Sequence, residues 1–404
     1  MPDLDVWDDE LRDGIARIGS ADLVVGIPSF RSARTIGNVA RVAATGLRTA
    51  FPDARVAIVN ADGGSADGTT ERVREAAGEI PVAAGAYLGP SGKGSAFRAI
   101  FESVRHLGAR ACAVVDSDLR SITPEWIARL LGPIERGDAD YVAPLYARHK
   151  HDGTITNSVA YPLTRALWGL RVRQPIGGEF GFTAGLTREY LAEPVWETDV
   201  ARFGIDIFMT TTAIASGARV AQAFLGTKVH DPKDPAADLG PMFTQVVGTL
   251  FGLAARYEER WSDIRGSREV PLFGQPRPVD PEPIAVDPAR LRERYLAGAR
   301  EHEDTWRQVL TAPLPGMLDA RDWARVVFDF LRAALRSPEE SERLAGALLP
   351  LYYARVAAFV DEVRDRTTAE AEEAVETGAL EMEGEKARVL AGRDALIPRS
   401  GGPA

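Results

Sequence analysis

Apolar residues along the first half of the chain alternate between two rhythms. DLVVGI (22–27) is a short run rich in β-branched residues, and after it Ile36, Val39, Ala40, Val42 and Ala43 return at helical spacing. This predicts a strand, a loop and a helix. RVAIVN (55–60) repeats the pattern before the polar turn DGGSADGT and the helical TERVREAAGEI. PVAAGAY and the loop LGPSGKG then lead into SAFRAIFESVRHLG, and ACAVVDSDL is a further apolar strand that ends in carboxylates. Alternating strands and helices predict an α/β fold, a mainly parallel, Rossmann-like sheet covered on both faces. Ligands of such sheets bind at the strand carboxyl ends, where these loops converge.

Elsewhere the pattern changes. MPDLDVWDDELRD reads as an amphipathic helix and is acidic where an export signal is basic. VPLFGQPRPVDPEPIAVDP repeats proline too often to continue a helix or a central strand. Beyond it PARLRERYLAGAREHEDTW, RDWARVVFDFLRAALRS and the stretch 338–392 are helical by spacing, with Ser337 as N-cap. The expected organisation is an N-terminal helix (1–20), an α/β domain (21–270), a Pro-rich linker (271–288), a helical C-terminal domain (289–395) and a frayed tail (396–404).

Composition narrows the function classes. With 48 basic against 58 acidic residues the net charge is −10, which argues against nucleic acid or anionic lipid as a partner. The single cysteine, Cys112, suits a reducing cytoplasm. The apolar stretch around ALLPLYYARVAAFV carries Arg355, so no membrane span is expected.

Asp116 and Asp118, one residue apart at a strand end, repel each other unless a cation lies between them, and hard carboxylate oxygens suit Mg²⁺ or Mn²⁺. The alternative is a pair of turn aspartates capping the helix that starts near Thr123–Trp126. The glycines of DGGSADGT, beside Asp62, let a planar base or ribose approach the backbone closely. Lys93, between two glycines in SGKG, can reach a phosphate or a donor hydroxyl.

In this order the segments resemble the nucleotide-binding half of GT-A glycosyltransferases. QPIGGEF (174–180), FGIDIF (203–208) and KVHDPKD (228–234) narrow the likeness to the retaining enzymes that make glucosyl-3-phosphoglycerate, mannosylglycerate or glucosylglycerate. The resemblance covers roughly residues 22–250. It implies that Pro28, Asp62 and Gly63 line the base and ribose, and that Lys93, Gly178, Glu179 and Lys228 face the donor. It also implies a metal held by Asp118 directly, with Asp116 on the ribose or in the outer shell and His230 as third protein contact. Glu179, Asp206 and Lys93 are then the catalytic candidates. Glu179 could instead pair with Arg171 or Arg173, Asp206 could cap its helix, and His230 could be an ordinary buried or surface histidine. The reaction implied is hexosyl transfer, glucose favoured over mannose, from a GDP- or UDP-hexose, by a homodimer. An inverting transferase using Asp206 or Asp199 as base, and a non-catalytic nucleotide-sugar binder, are the competing readings.

The acceptor expectation rests on a departure from those relatives. Where phosphoglycerate-using enzymes resemble GGRVTELVARPL, this chain has HDGTITNSVAYPL, so Thr154 replaces the arginine, and Asp231 and Pro232 follow the histidine. A dianionic phosphate needs fixed cations or several N–H donors. This stretch reads as a loop in which a lone carboxylate can be held by Thr154, Thr156 and Asn157, so D-glycerate is the expected acceptor; the alternative is that Arg148, Lys150 or Lys233 replaces the missing charge.

Overall fold

The computed structural model describes residues 6–229, 239–277, 281–315 and 318–396, with side chains up to residue 391. The chain opens α1 (Asp9–Ile18), β1 (Leu23–Ser29), α2 (Ile36–Ala50), β2 (Val56–Asp62), α3 (Thr69–Ala76), β3 (Val82–Ala86) and α4 (Lys93–His106). Next come β4 (Ala111–Val114), α5 (Pro124–Glu135), β5 (Tyr141–Ala147), α6 (Tyr161–Trp168), β6 (Leu170–Arg171), β7 (Phe180–Thr183), α7 (Ala184–Ala192), α8 (Ile205–Ala215) and β8 (Val220–Thr227). The remainder is α9 (Gly240–Arg256), α10 (Glu258–Trp261), β9 (Arg268–Glu269), β10 (Leu272–Phe273), α11 (Pro288–Val309), α12 (Ala320–Arg336), α13 (Ser341–Glu362) and α14 (Thr368–Leu396).

These elements fall into two compact units. The first comprises the described residues within Met1–His149, Val172–Lys233 and Val270–Ile284. Its eight strands lie in the order β10-β8-β5-β7-β4-β1-β2-β3, all parallel except β7, which runs antiparallel to β4 and β5. β1 is buried along its whole length, as expected of a central parallel strand with helices on both faces. α2 and α5 pack on one side, around Leu23, Val25, Ile58, Trp126 and Ile127. α1 packs against β3, its first turn capped by Asp8, which accepts the Leu11 N–H at 2.8 Å.

The reversed direction of β7 matters most for the site. Parallel strands present their C-terminal residues at one end of the sheet, and an antiparallel strand presents its N-terminus there. Glu179, just before β7, thus joins the residues that follow β1, β2, β4, β5 and β8.

The second unit comprises the described residues within Lys150–Arg171, Asp234–Glu269 and Ala285–Ala404. It is helical, as expected, but larger than 289–395: the segments containing α6, α9 and α10 belong to it. The N-terminal helix and the strand β10 belong to the first unit. β10 lies within the expected Pro-rich linker and forms an edge strand, the sheet position that tolerates neighbouring prolines.

The 338–392 stretch is likewise not one helix. α13 ends where the Lys150 ammonium caps the carbonyls of Val363, Arg364 and Arg366 at 2.7–2.8 Å. α14 then restarts with a capping box, in which Thr367 and Glu370 bond each other's backbone N–H at 3.2 and 2.7 Å. Ser337 precedes a short 3-10 turn without a side-chain cap bond. The segment Pro338–Glu362 is long and apolar enough to cross a membrane, and 78% of its most apolar window is buried inside the protein, as in a core helix. The expected tail (396–404) lies almost wholly outside the described residues.

α14 is held to the rest of its unit by buried charge. Arg165 of α6 is 1% exposed and bonds Glu376 and Glu383 at 2.6 Å each. Lys386 bonds the carbonyls of Leu167, Trp261 and Ile264 at 2.9 Å each, one for each ammonium hydrogen.

Candidate active site

At the carboxyl end of the sheet in the first unit, carboxylates and lysines alternate in a connected chain. Asp116, on the turn after β4, sits between two ammonium groups: Lys93 lies 2.8 Å from Oδ1 and Lys228 lies 2.9 Å from Oδ2. Lys228, which follows β8, also donates to the Gly177 carbonyl and to both Glu179 oxygens, each at 2.9 Å. Lys93 continues the chain on the other side, 3.2 Å from Asp206 Oδ1 and bonded to Oδ2 at 3.3 Å. Asp206 Oδ1 itself receives no hydrogen bond.

Local backbone geometry makes these contacts fit. Gly178 has φ +96°, and a Cβ there would lie 2.5 Å from Asp116 Oδ2 and 2.8 Å from Lys228 Nζ. Only glycine lets the QPIGGEF turn pass so close to the ion pair. Thr123 and Pro124 start α5 and Gly204 precedes α8, so neither Asp116, Asp118 nor Asp206 serves as a helix N-cap.

The electrostatics separate the roles of the four carboxyl groups. Glu179 is fully buried, and burial, opposed by Lys228, pushes its carboxyl up to about 7. Burial also raises the Asp206 carboxyl, against the pull of Lys93. For Asp116 burial is outweighed by the charges of Lys228 and Lys93, which hold it well below the usual carboxylate range. Both lysines are pushed upward, because their carboxylate neighbours outweigh desolvation.

Asp118 differs from the other three. It is partly exposed and, among the described residues, makes no hydrogen bond or ion pair. Among the described residues no group of three His, Cys, Asp or Glu side chains gathers to hold a metal ion; Asp118 offers uncommitted oxygens of the kind a hard divalent cation takes, whereas both Asp116 oxygens are committed to lysines. His230 lies outside the described residues. Val229, the last described residue before it, donates its N–H to Ser121 Oγ and accepts the Arg120 N–H at its carbonyl, both at 2.9 Å.

Other expected residues fall into place differently. Asp62 is 1% exposed and accepts from Ser29 Oγ at 2.6 Å and from the Ser65 N–H at 2.5 Å, which shapes the DGGS turn. Pro28 is buried at the end of β1, and Gly63 lies against Phe30. Phe30, not singled out from the sequence, is 57% exposed, with the Arg31 guanidinium 4.9 Å from its ring centre. An exposed aromatic in the loop after β1 offers a face for a planar base. Glu179 pairs with Lys228 and not with Arg171 or Arg173; Arg171 pairs with Glu269. Asp199 pairs with Arg202 at 3.0 Å.

The three residues expected to hold the acceptor belong to the helical unit. Thr154 is buried and its hydroxyl hydrogen-bonds Tyr352 Oη at 2.6 Å. Thr156 is also buried, and Asn157 donates to the Asp152 carbonyl. They start a continuous helical segment where the sequence suggested a loop.

The sequence missed Tyr146, at the end of β5. Its hydroxyl donates to Glu179 Oε2 in a very short hydrogen bond. A lone tyrosine in an apolar strand gives no signal beyond core packing.

Residues 25–193 match the family described as Glycosyl transferase family 2. The chain is 28% identical over 216 residues to the glucosyl-3-phosphoglycerate synthase of Mycolicibacterium paratuberculosis, covering 47% of this chain and 60% of that protein. It is 28% identical over 259 residues to the Mycolicibacterium smegmatis enzyme of the same name, covering 58% and 78%. The match thus spans about 60% of the first relative's length. Among solved structures, glucosyl-3-phosphoglycerate synthase from Mycobacterium tuberculosis with Mn²⁺, UDP and glucosyl-3-phosphoglycerate is 23% identical. Its TM-score is 0.47, over 60% of this chain and 83% of that one.

Proposed function

We propose that the glycosyl transferase family 2 domain matched by residues 25–193 moves a hexose from a nucleotide-diphosphate sugar to a small hydroxy acid, with retention at the anomeric carbon. The observation that carries this reading is the chain Asp206–Lys93–Asp116–Lys228–Glu179, which closes on the strand carboxyl ends beside the unpaired carboxylate of Asp118.

Each residue has a part suited to its surroundings. Lys93, the more exposed of the two lysines, supplies positive charge toward the diphosphate. Asp206, ion-paired with Lys93 through Oδ1 at 3.2 Å, faces the sugar or the acceptor. Glu179 and Lys228 lie beneath, where their bonds to each other fix Asp116. Glu179 therefore acts by positioning and not by touching the sugar. Asp118 would hold a Mg²⁺ or Mn²⁺ ion, with Asp116 and His230 as the further residues proposed toward it, and the ion would supply positive charge to the departing diphosphate. Pro28, Gly63 and Phe30 border the base.

The donor proposed is UDP-glucose, with GDP-hexose next, and the acceptor D-glycerate. The names of the relatives favour 3-phosphoglycerate as the alternative acceptor. Thr154 and Thr156 are buried, Asn157 is bonded to the Asp152 carbonyl and Lys150 is committed to three carbonyls, which counts against either a phosphate or a carboxylate docking on these side chains as they stand. D-glycerate is proposed on the replacement of the relatives' arginine by Thr154. The protein is further proposed to be a cytoplasmic homodimer, checked by light scattering. A matrix of UDP- and GDP-hexoses against the two acceptors, scored by released nucleotide diphosphate, tests the reading. Release that does not depend on an acceptor would count against transfer, and so would no release in any pairing.

A further inference from the structure

Tyr146 occupies an unusual place for a core tyrosine. β5 and β8 pair in regular register up to Leu145↔Phe224, then slip so that Tyr146 lies opposite Gly226, with Leu225 as the extra residue. Such a bulge bends the local backbone and re-aims a side chain. The ring packs against Trp126, centroids 5.3 Å apart, and Gln174 Nε2 bonds the Tyr146 carbonyl at 3.2 Å. The hydroxyl donates to Glu179 Oε2, while the ring face lies 5.8 Å from Lys228 Nζ and 5.6 Å from the Arg148 guanidinium carbon, contacts that a phenylalanine would keep.

The proton count around Glu179 shows what that bond controls. Lys228 has three hydrogens for four oxygens: Asp116 Oδ2, the Gly177 carbonyl and both oxygens of Glu179. Two are taken by Asp116 and Gly177, so the third is shared by the Glu179 carboxylate. The other donors to Glu179 are the Tyr146 hydroxyl on Oε2 and the Asp116 N–H, at 3.4 Å, on Oε1. Without the hydroxyl, a buried carboxylate oxygen is left to draw Lys228 toward itself and away from Asp116.

We propose that Tyr146 is a positioning residue for sugar transfer: its hydroxyl fixes Glu179, and through Glu179 and Lys228 it fixes Asp116 where the donor binds. This rests on the reading of the site as a nucleotide-sugar site. Tyr146→Phe keeps the ring against Trp126 and removes only the O–H.

The test is calorimetric titration of the full chain with UDP and with GDP, each in MnCl₂, beside a thermal melt. The expected result is a Tyr146→Phe protein that melts close to wild type but binds the nucleotide about tenfold more weakly. In a Glu179→Gln background the same substitution is expected to change affinity by less than about twofold, because the carboxylate it acts through is gone. Equal affinity of Tyr146→Phe and wild type overturns the assignment. An undiminished loss in the Glu179→Gln background does the same, since it marks a general packing role. Wild type that binds neither nucleotide overturns the underlying reading of the site and this assignment with it.

Discussion

Replacing Lys228 with methionine keeps most of the side-chain volume and removes the charge on which two carboxylates depend. Taking one partner from a buried ion pair costs about 3–5 kcal/mol, because the other charge is left uncompensated. Two features of this site bring the value to the lower end. Asp116 retains Lys93 at 2.8 Å, so its charge stays paired. Glu179 retains only the Tyr146 hydroxyl and the long bond from the Asp116 N–H, but burial already holds its carboxyl near 7 with Lys228 present. Protonating it at neutral pH therefore adds little, at about 1.4 kcal/mol per pKa unit. The expected loss is about 3 kcal/mol, which for a unit of this size lowers the melting temperature by roughly 6–12 °C. Differential scanning calorimetry without nucleotide reads it directly. The double variant Lys228→Met/Glu179→Gln, whose glutamine is neutral without having to take up a proton on folding, is expected to regain more than half of that loss. A single variant that melts with wild type, or a double variant no better than the single, refutes the argument.

Three further outcomes follow from the same geometry. Asp118→Ala should melt within about 0.5 kcal/mol of wild type, because the side chain has no partner, yet lose Mn²⁺-dependent nucleotide binding in a titration. Gly178→Ala should destabilise the protein by about 2–3 kcal/mol in urea denaturation, from the strain of φ +96° and a Cβ 2.5 Å from Asp116 Oδ2. Lys386→Met strips three carbonyls of their donor and should cost about 3 kcal/mol, seen as faster proteolysis within α14 while nucleotide binding persists.

Much of the fold was legible because parallel strands buried on both faces leave continuous apolar runs, as in LVVGIPS and ACAV. Strand direction was not, since FGFT is equally compatible with either orientation, and that direction decides where Glu179 points. Within the cluster, Lys93 and Asp116 could be found from a glycine-rich loop and a carboxylate-ended strand, whereas Glu179, Asp206 and Lys228 came from the resemblance of QPIGGEF, FGIDIF and KVHDPKD to the retaining enzymes. Their division of labour could not, because burial sorts Glu179 and Lys228 beneath the surface and leaves Asp118 open. The Thr367–Glu370 capping box was present in the sequence, but helical spacing on both sides hid the break. The helical segment from Thr154 read as a loop because its glycine and threonines suit turns, whereas tertiary packing against Tyr352 makes it a helix.

The central claim is that the Asp118 turn and the lysine–carboxylate chain beside it transfer a sugar. Incubating the full chain with UDP-glucose, MnCl₂ and D-glycerate, and identifying the product by proton NMR, tests it most directly. The account predicts glycerate bearing an α-linked glucose, formed only with the metal and absent with Asp118→Ala. A β-linked product contradicts retention, and UDP-glucose left intact with either D-glycerate or 3-phosphoglycerate present contradicts the assignment as a whole.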